Sequence, residues 1–480
     1  MIAVDLLVLV PLAGAAIALI AGRARPTVCR WVALATSVAA LGLAVVVGLA
    51  GAFAGERVAG THVVTLGFWR LAADGLSMPL VALTALLGVA AVSASWRIDK
   101  RPSTYFALLL FLQAAVTGVF LAEDLILFYV FWELVLIPMY FLIGGWGHER
   151  RKHAAAKFFI YTFLGSALML VGILVAIYAA RAWTIPDLVY LAARQKPQSA
   201  LVFWLLMAGF LVKVPAFPFH TWLPDAHVEA PTAGSIMLAG VLLKMGGYGI
   251  LRIAIPLAPP AFESARGILF AIGLVGIVFG AFTALVQTDL KRLVAYSSVS
   301  HMGFVLVAIA SASSGAFGAA MLGMVSHGFV AGLLFLLVGL LYDRTHTREL
   351  RRFGGLGSVI PAWSVAFVFA SLASLGLPGL SGFPGEFASV LEGFRSFGWW
   401  IVVATFGVVF AAAYTLRAVR GSVQGPVGEF DALSDLATRE AVTVGAFGLA
   451  ILALGVWPNS VLLMVDPALR SLAALVGTGS

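Results

Sequence analysis

The chain of 480 residues is 61% hydrophobic and only 11% charged, where a soluble domain carries about 25% charged residues. That composition excludes a soluble protein, and the net charge of +8 becomes a question of which membrane face holds the basic loops rather than a sign of nucleic-acid binding. With one cysteine, Cys29, the chain has no intrachain disulfide and no thiolate set for an iron–sulfur or zinc site.

Apolar runs between breakers predict an all-α polytopic membrane protein of about fourteen transmembrane helices. They fall near residues 2–21, 29–51, 74–95, 104–122, 125–144, 155–180, 200–220, 232–254, 267–286, 293–310, 315–341, 361–394, 397–416 and 441–464. No basic residue precedes the first run, so it reads as a span and not as a cleaved signal peptide. Loops after odd-numbered spans hold twice as many Lys and Arg residues as loops after even-numbered ones, with Lys291, Arg344 and Arg351 among the first set and Arg57, Lys196, Arg266 and Arg395 among the second. The positive-inside rule then puts the odd loops in the cytoplasm and both termini on the outer, periplasmic side.

Three lysines, Lys157, Lys213 and Lys244, remain inside spans. A charge at membrane depth is costly unless it is paired, neutralised or hydrated, so such residues are read as functional. Glu133 lies about nine residues into the fifth span. Lys213 sits in the seventh, ahead of Pro215, Pro218 and Pro224, and Lys244 in the middle of the eighth. A buried ammonium is a usable proton carrier because desolvation disfavours its charge. Glu386 follows the run LGLPGLSGFPG in the twelfth span, the mark of a broken membrane helix. His301 and His327, in the tenth and eleventh, are candidate relays, since imidazole titrates near neutrality and has two nitrogens. Lys157 stands near enough to the cytoplasmic end of the sixth span to reach water.

The two Pro-interrupted spans are the seventh and the twelfth, five apart. An odd interval inverts topology, so spans 4–8 and 9–13 are expected to be two inverted five-helix repeats, each with a broken helix. The chain divides accordingly into 1–103 (three N-terminal helices), 104–254 (first repeat), 255–420 (second repeat) and 421–480 (C-terminal helix and tail). Glu133, Lys213, Lys244, His301, His327 and Glu386 are the stations of an expected proton route, with no cofactor or metal ligand in this chain.

Four stretches resemble one family: FYVFWELVLIPMYFLIGGWGHERRKHAAAKFFIYTFLG from Phe128, VKVPAFPFHTWLPDAHVEAPTAGSIMLAGVLLKMGGYGILR from Val212, TDLKRLVAYSSVSHMGF from Thr288 and GLPGLSGFPGEF from Gly376. They are similar to the M-type, antiporter-like membrane-arm subunits of proton-translocating NADH:quinone oxidoreductase, respiratory complex I. The resemblance implies that Glu133 and Lys213 are the family's buried Glu–Lys pair, Lys244 its central relay lysine and Glu386 its terminal ionisable residue. Related antiporter-like subunits usually carry Lys at that last position. L-type subunits also continue into a long lateral helix, while this chain stops soon after the fourteenth span. The resemblance further implies a bacterial inner-membrane location, L- and N-type neighbours in the membrane arm, and FMN, iron–sulfur clusters and quinone in other subunits. The alternatives are a subunit of a multi-subunit cation/proton antiporter, or of a membrane-bound hydrogenase or ferredoxin-fed complex.

Overall fold

The structure is a computed structural model that describes residues 2–54, 70–194 and 197–477. Arg57 and Lys196, two of the basic residues used above to orient the chain, lie outside the described residues. Helices follow one another from end to end: α1 (Ile2–Ala24), α2 (Pro26–Ala54), α3 (Met78–Ala94), α4 (Pro102–Leu121), α5 (Leu125–Trp146), α6 (Arg151–Ala180), the short α7 (Ile185–Ala193), α8 (Ala200–Lys213) and α9 (Trp222–Glu229). Next come α10 (Thr232–Leu257), α11 (Pro259–Leu285), α12 (Leu290–Ser311) and α13 (Ser314–Thr345). The chain ends with α14 (Pro361–Ser374), α15 (Gly382–Phe397), α16 (Val403–Ser422), α17 (Thr438–Val456) and α18 (Asn459–Leu475).

Eleven helical stretches are long and apolar enough to cross a membrane, and three apolar helices, α3, α8 and α14, are shorter. These three fall in the expected spans 74–95, 200–220 and 361–394; the first holds only the 17-residue α3. The other two contain the expected breaks: the helix stops at Lys213 and resumes at Trp222, and stops at Ser374 and resumes at Gly382. Pro215 and Pro218 cannot donate to a helix ladder, and Gly376 and Gly379 take φ of +78° and +90°, which side chains with a Cβ resist. The carbonyls freed at the first break find other donors, as where Trp222 Nε1 donates to Val212 O (3.1 Å). The expected tail is also helical, as α18.

One local construction occurs twice. Asp124 accepts from Leu127 N at the start of α5, and Asp289 from Arg292 N at the start of α12. Each aspartate also forms an isolated antiparallel bridge, Asp124 with Thr184 and Asp289 with Glu349. The interval from Asp124 to Asp289 equals that from Thr184 to Glu349. An odd number of crossings separates the two bridges, so they close opposite ends of the bundle, as inverted repeats require.

Burial sorts the helices. Some 94% of the apolar windows in α10 and α13 is buried, against 28% for α2 and α17, so the first two are core and the last two present an apolar surface outward. Close approach within that core needs glycine: a Cβ on Gly328 of α13 would stand 2.9 Å from Gly240 O of α10. Cys29, on α2, is fully buried.

Candidate functional site

The contact between α10 and α13 that Gly240 and Gly328 permit brings Lys244 to His327. The flanking residues Leu238–Leu242 and Ile250–Ala254 form wide π turns, a rare geometry found mostly at functional positions. Fully buried, Lys244 donates from Nζ to Ala239 O and lies 2.7 Å from His327 Nδ1. An ammonium only donates, so with Lys244 charged Nδ1 accepts and the imidazole proton sits on Nε2. The rings of His327 and His301 have their centroids 5.6 Å apart. His301 Nδ1 is 2.5 Å from Glu386 Oε1, and its Nε2 is 3.1 Å from Ser374 Oγ. These side chains come from α10, α12, α13 and both sides of the second break. Ser326 and Ser381 hydroxyls, 2.9 Å apart, tie α13 to that break.

A cavity lies along this line, bordered by His301, His327, Ser326, Ser374, Glu386 and Ser389. It offers ≈ 20 Å³ for the centres of water-sized molecules, enough for about one water, which needs 10–15 Å³. The polar atoms that a bridging water requires are therefore already on its walls. Lys244, His327, His301 and Glu386 form one line of polar groups through apolar protein, in contact at Lys244–His327 and at His301–Glu386, with the two imidazole rings side by side between these pairs.

Glu133 and Lys213 are arranged differently. Lys213, at the last turn of α8, is buried, and its Nζ has no hydrogen-bond partner. It lies 5.4 Å from the centre of the Trp132 ring and 5.7 Å from that of Phe158, within the range of a cation–π contact. Glu133 Oε1 is likewise buried without a partner. No ion pair within 4.0 Å joins the two. No hydrogen bond links Lys213 to Lys244. Lys157 is paired with Asp225 Oδ2 at 2.6 Å, at the start of α9.

Three functional candidates went unmarked in the sequence. His227, on α9 beyond the first break, is fully buried; both its ring nitrogens lack partners, and the ring stacks on Phe335 at 4.3 Å. Lys291, assigned to a cytoplasmic loop by its neighbours, is buried in the first turn of α12 and donates to Ala230 O (2.5 Å). Glu229, also buried, accepts from Arg150 N at 2.9 Å. Arg344, another residue counted in a loop, is buried and paired with Glu440. Around Lys291 the α5–α6 connection carries His148, where burial and then the charges of Lys291 and Arg348 push the imidazole down to about 3. That histidine is neutral at any physiological pH. A signal for His227 was present in the DAHVEAP stretch, where an imidazole stands between two acids on the helix after a proline break.

Among the described residues no group of three or more His, Cys, Asp or Glu side chains is placed to hold a metal ion.

Residues 122–411 match the family described as NADH:quinone oxidoreductase/Mrp antiporter, TM. NADH-quinone oxidoreductase subunit M of Rhodobacter capsulatus is 41% identical over 98% of this chain and 96% of its own length. A chain of respiratory complex I from Thermus thermophilus with bound NADH superposes with a TM-score of 0.90 at 30% identity, covering 99% of this chain and all of that one. A chain of the Mrp complex from Dietzia sp. DQ12-45-1b superposes with a TM-score of 0.85 at 20% identity, a likeness of fold alone.

Proposed function

The chain belongs to the NADH:quinone oxidoreductase/Mrp antiporter transmembrane family, and we propose that it is the proton-translocating, M-type subunit in the membrane arm of an NADH:quinone oxidoreductase. Its place is the bacterial inner membrane, with both termini on the outer side and antiporter-like L- and N-type subunits as neighbours. Electrons travel from NADH to quinone in other subunits, which hold the FMN, iron–sulfur clusters and quinone site. A chain whose thiols amount to one buried cysteine has no ligand set for such a cluster.

One observation carries the reading: the line from Lys244 through His327 and His301 to Glu386. Each member can both take up and release a proton, and adjacent members are in contact or separated by a space of water size. Protons so handled belong to the group as a whole. Lys213 and Glu133 supply the controllable end. With no counter-ion in contact, Lys213 responds to any change in the charge or position of Glu133, because Coulomb interactions are strong where water is scarce. A change transmitted from a neighbouring subunit at Glu133 would bias Lys213 to give up its proton toward Lys244.

Replacing Lys244 with Met keeps the length of the side chain and removes its proton. Inverted membrane vesicles carrying Lys244→Met should oxidise NADH with an artificial acceptor at the normal rate while losing the NADH-driven acidification of the interior. Undiminished acidification in that variant would sink the reading.

A further inference from the structure

The row described so far ends at Glu386, short of either face of the membrane. On α15, however, polar side chains recur at every third position after it: Glu386, Ser389, Glu392 and Arg395. The residues between them are Phe387, Ala388, Val390, Leu391, Gly393 and Phe394. Side chains three apart are neighbours on a helix, and this stripe climbs about 13 Å at 1.5 Å per residue. It runs inside the protein, since Ser389 is 1% and Glu392 7% exposed. Only Arg395, at the far end, has its side chain largely in the open, at 64%.

Ser389 borders the same cavity as Glu386, so the stripe starts where the row stops. Its hydroxyl donates to Gly385 O at 2.7 Å, one turn back, and its own oxygen is left to accept. Glu392 is held by two groups at the end of the bundle and given room by a third residue. Ser313, the residue that caps α13, donates from Oγ to Glu392 Oε2 at 2.6 Å, and Arg395 donates from Nη1 to Oε1 at 2.6 Å. Gly315, which lacks a Cβ, leaves room for the carboxylate: a Cβ there would stand 3.3 Å from Oε1. Arg266 of α11, another cation that follows an even-numbered span, is committed to Glu263 and to the carbonyls of Ala310 and Ser311. A buried carboxylate with one exposed guanidinium as its counter-ion is an unusual feature within an apolar helix.

We propose that Glu392 is the outlet of the proton row, receiving protons from Glu386 by way of Ser389 and releasing them to water where Arg395 is exposed. This inference rests on the proton-translocating reading above. Glu386 gives its proton to Ser389 Oγ while that hydroxyl turns from Gly385 O and gives its own proton to a carboxylate oxygen of Glu392, or a water beside Ser389 makes the same exchange, accepting one proton and donating another. Neutralised, Glu392 no longer holds Arg395, whose side chain swings into solvent. The acid then gives the same proton to bulk water, and the guanidinium returns to the carboxylate. The connections 312–313 and 398–402 that flank this end follow even-numbered spans and are on the outer side by the count of basic loops, the side to which protons are pumped.

Glu392→Gln, which keeps an oxygen for Ser313 but cannot carry the proton as a carboxylate does, should lose most NADH-driven acidification in inverted vesicles. Glu392→Asp should retain most of it, and both variants should oxidise NADH with an artificial acceptor at the normal rate. Normal acidification by Glu392→Gln overturns the outlet. Equal losses in the Asp and Gln variants also overturn it, because the carboxylate would then be structural. Glu386→Gln measured alongside separates the two levels of inference: if it pumps normally, the whole row fails; if it does not pump while Glu392→Gln does, only the outlet fails.

Discussion

The two broken helices solve the same backbone problem and hold their ionisable residues in opposite ways. At the second break, Glu386 contacts His301, His301 contacts Ser374, and Ser381 contacts Ser326, so the polar groups there are joined to one another. At the first, Lys213 ends its half-helix against two aromatic rings with no hydrogen bond at Nζ. Contacting groups conduct, and an isolated charge is sensitive to what lies nearby, because low-dielectric surroundings magnify every change around it. The arrangement therefore divides labour, with transmission at the second break and control at the first.

Cutting the joined side should have the largest effect. His301→Phe removes the titratable ring between His327 and Glu386 and leaves the Glu386 carboxylate without its partner. NADH-driven acidification in vesicles should fall by about 10²-fold, the lower end of the loss when a proton-transfer group is removed. A variant that still pumps would mean the line is bypassed, and the contrast between the two breaks would lose its meaning. Lys213→Met should follow in size, since it removes the control charge but leaves the Lys244-to-Glu386 line whole. Residual pumping is expected, no longer responsive to substitution of Glu133 when the double variant is compared with each single one. Trp132→Leu should act least. It removes one of two aromatic faces on Lys213, a contact of about 2 kcal/mol when desolvated, while Phe158 keeps the other. A modest change in pumping rate with normal recovery of the protein is expected, and an effect as large as that of Lys213→Met would show that the ring does more than shelter the ammonium.

Much of this was legible in the sequence because membrane burial makes charge conspicuous. Glu133, Lys213, Lys244 and Glu386 stand out from apolar neighbours, and the Gly-Pro run before Glu386 announces a break. Their contacts were not legible. That Lys244 meets His327, and that Lys213 meets no carboxylate, depends on which helices touch, which in turn depends on glycines such as Gly240 and Gly328. Lys291 was misread for a simple reason. The sequence Asp289-Leu290-Lys291-Arg292 looks like a loop, but Asp289 is the helix cap, so Lys291 is already in the first turn and points inward. The breaks themselves were legible, but not the residues at which each half-helix stops and resumes, since hydropathy averages over a window and does not resolve the turn within it. Glu392 escaped notice beside Arg395, where an acid and a base three residues apart resemble an ordinary surface pair.

Cys29 is the only thiol in the chain and is fully buried among α-helices. A sulfhydryl reagent that cannot cross lipid therefore meets a chemically silent background in the native protein. Any cysteine introduced at an exposed site, for instance in place of Arg395 or Arg351, becomes a unique address. Tagging intact cells or inverted vesicles at such addresses would report sidedness directly, converting the orientation drawn from charge bias into a yes-or-no chemical answer.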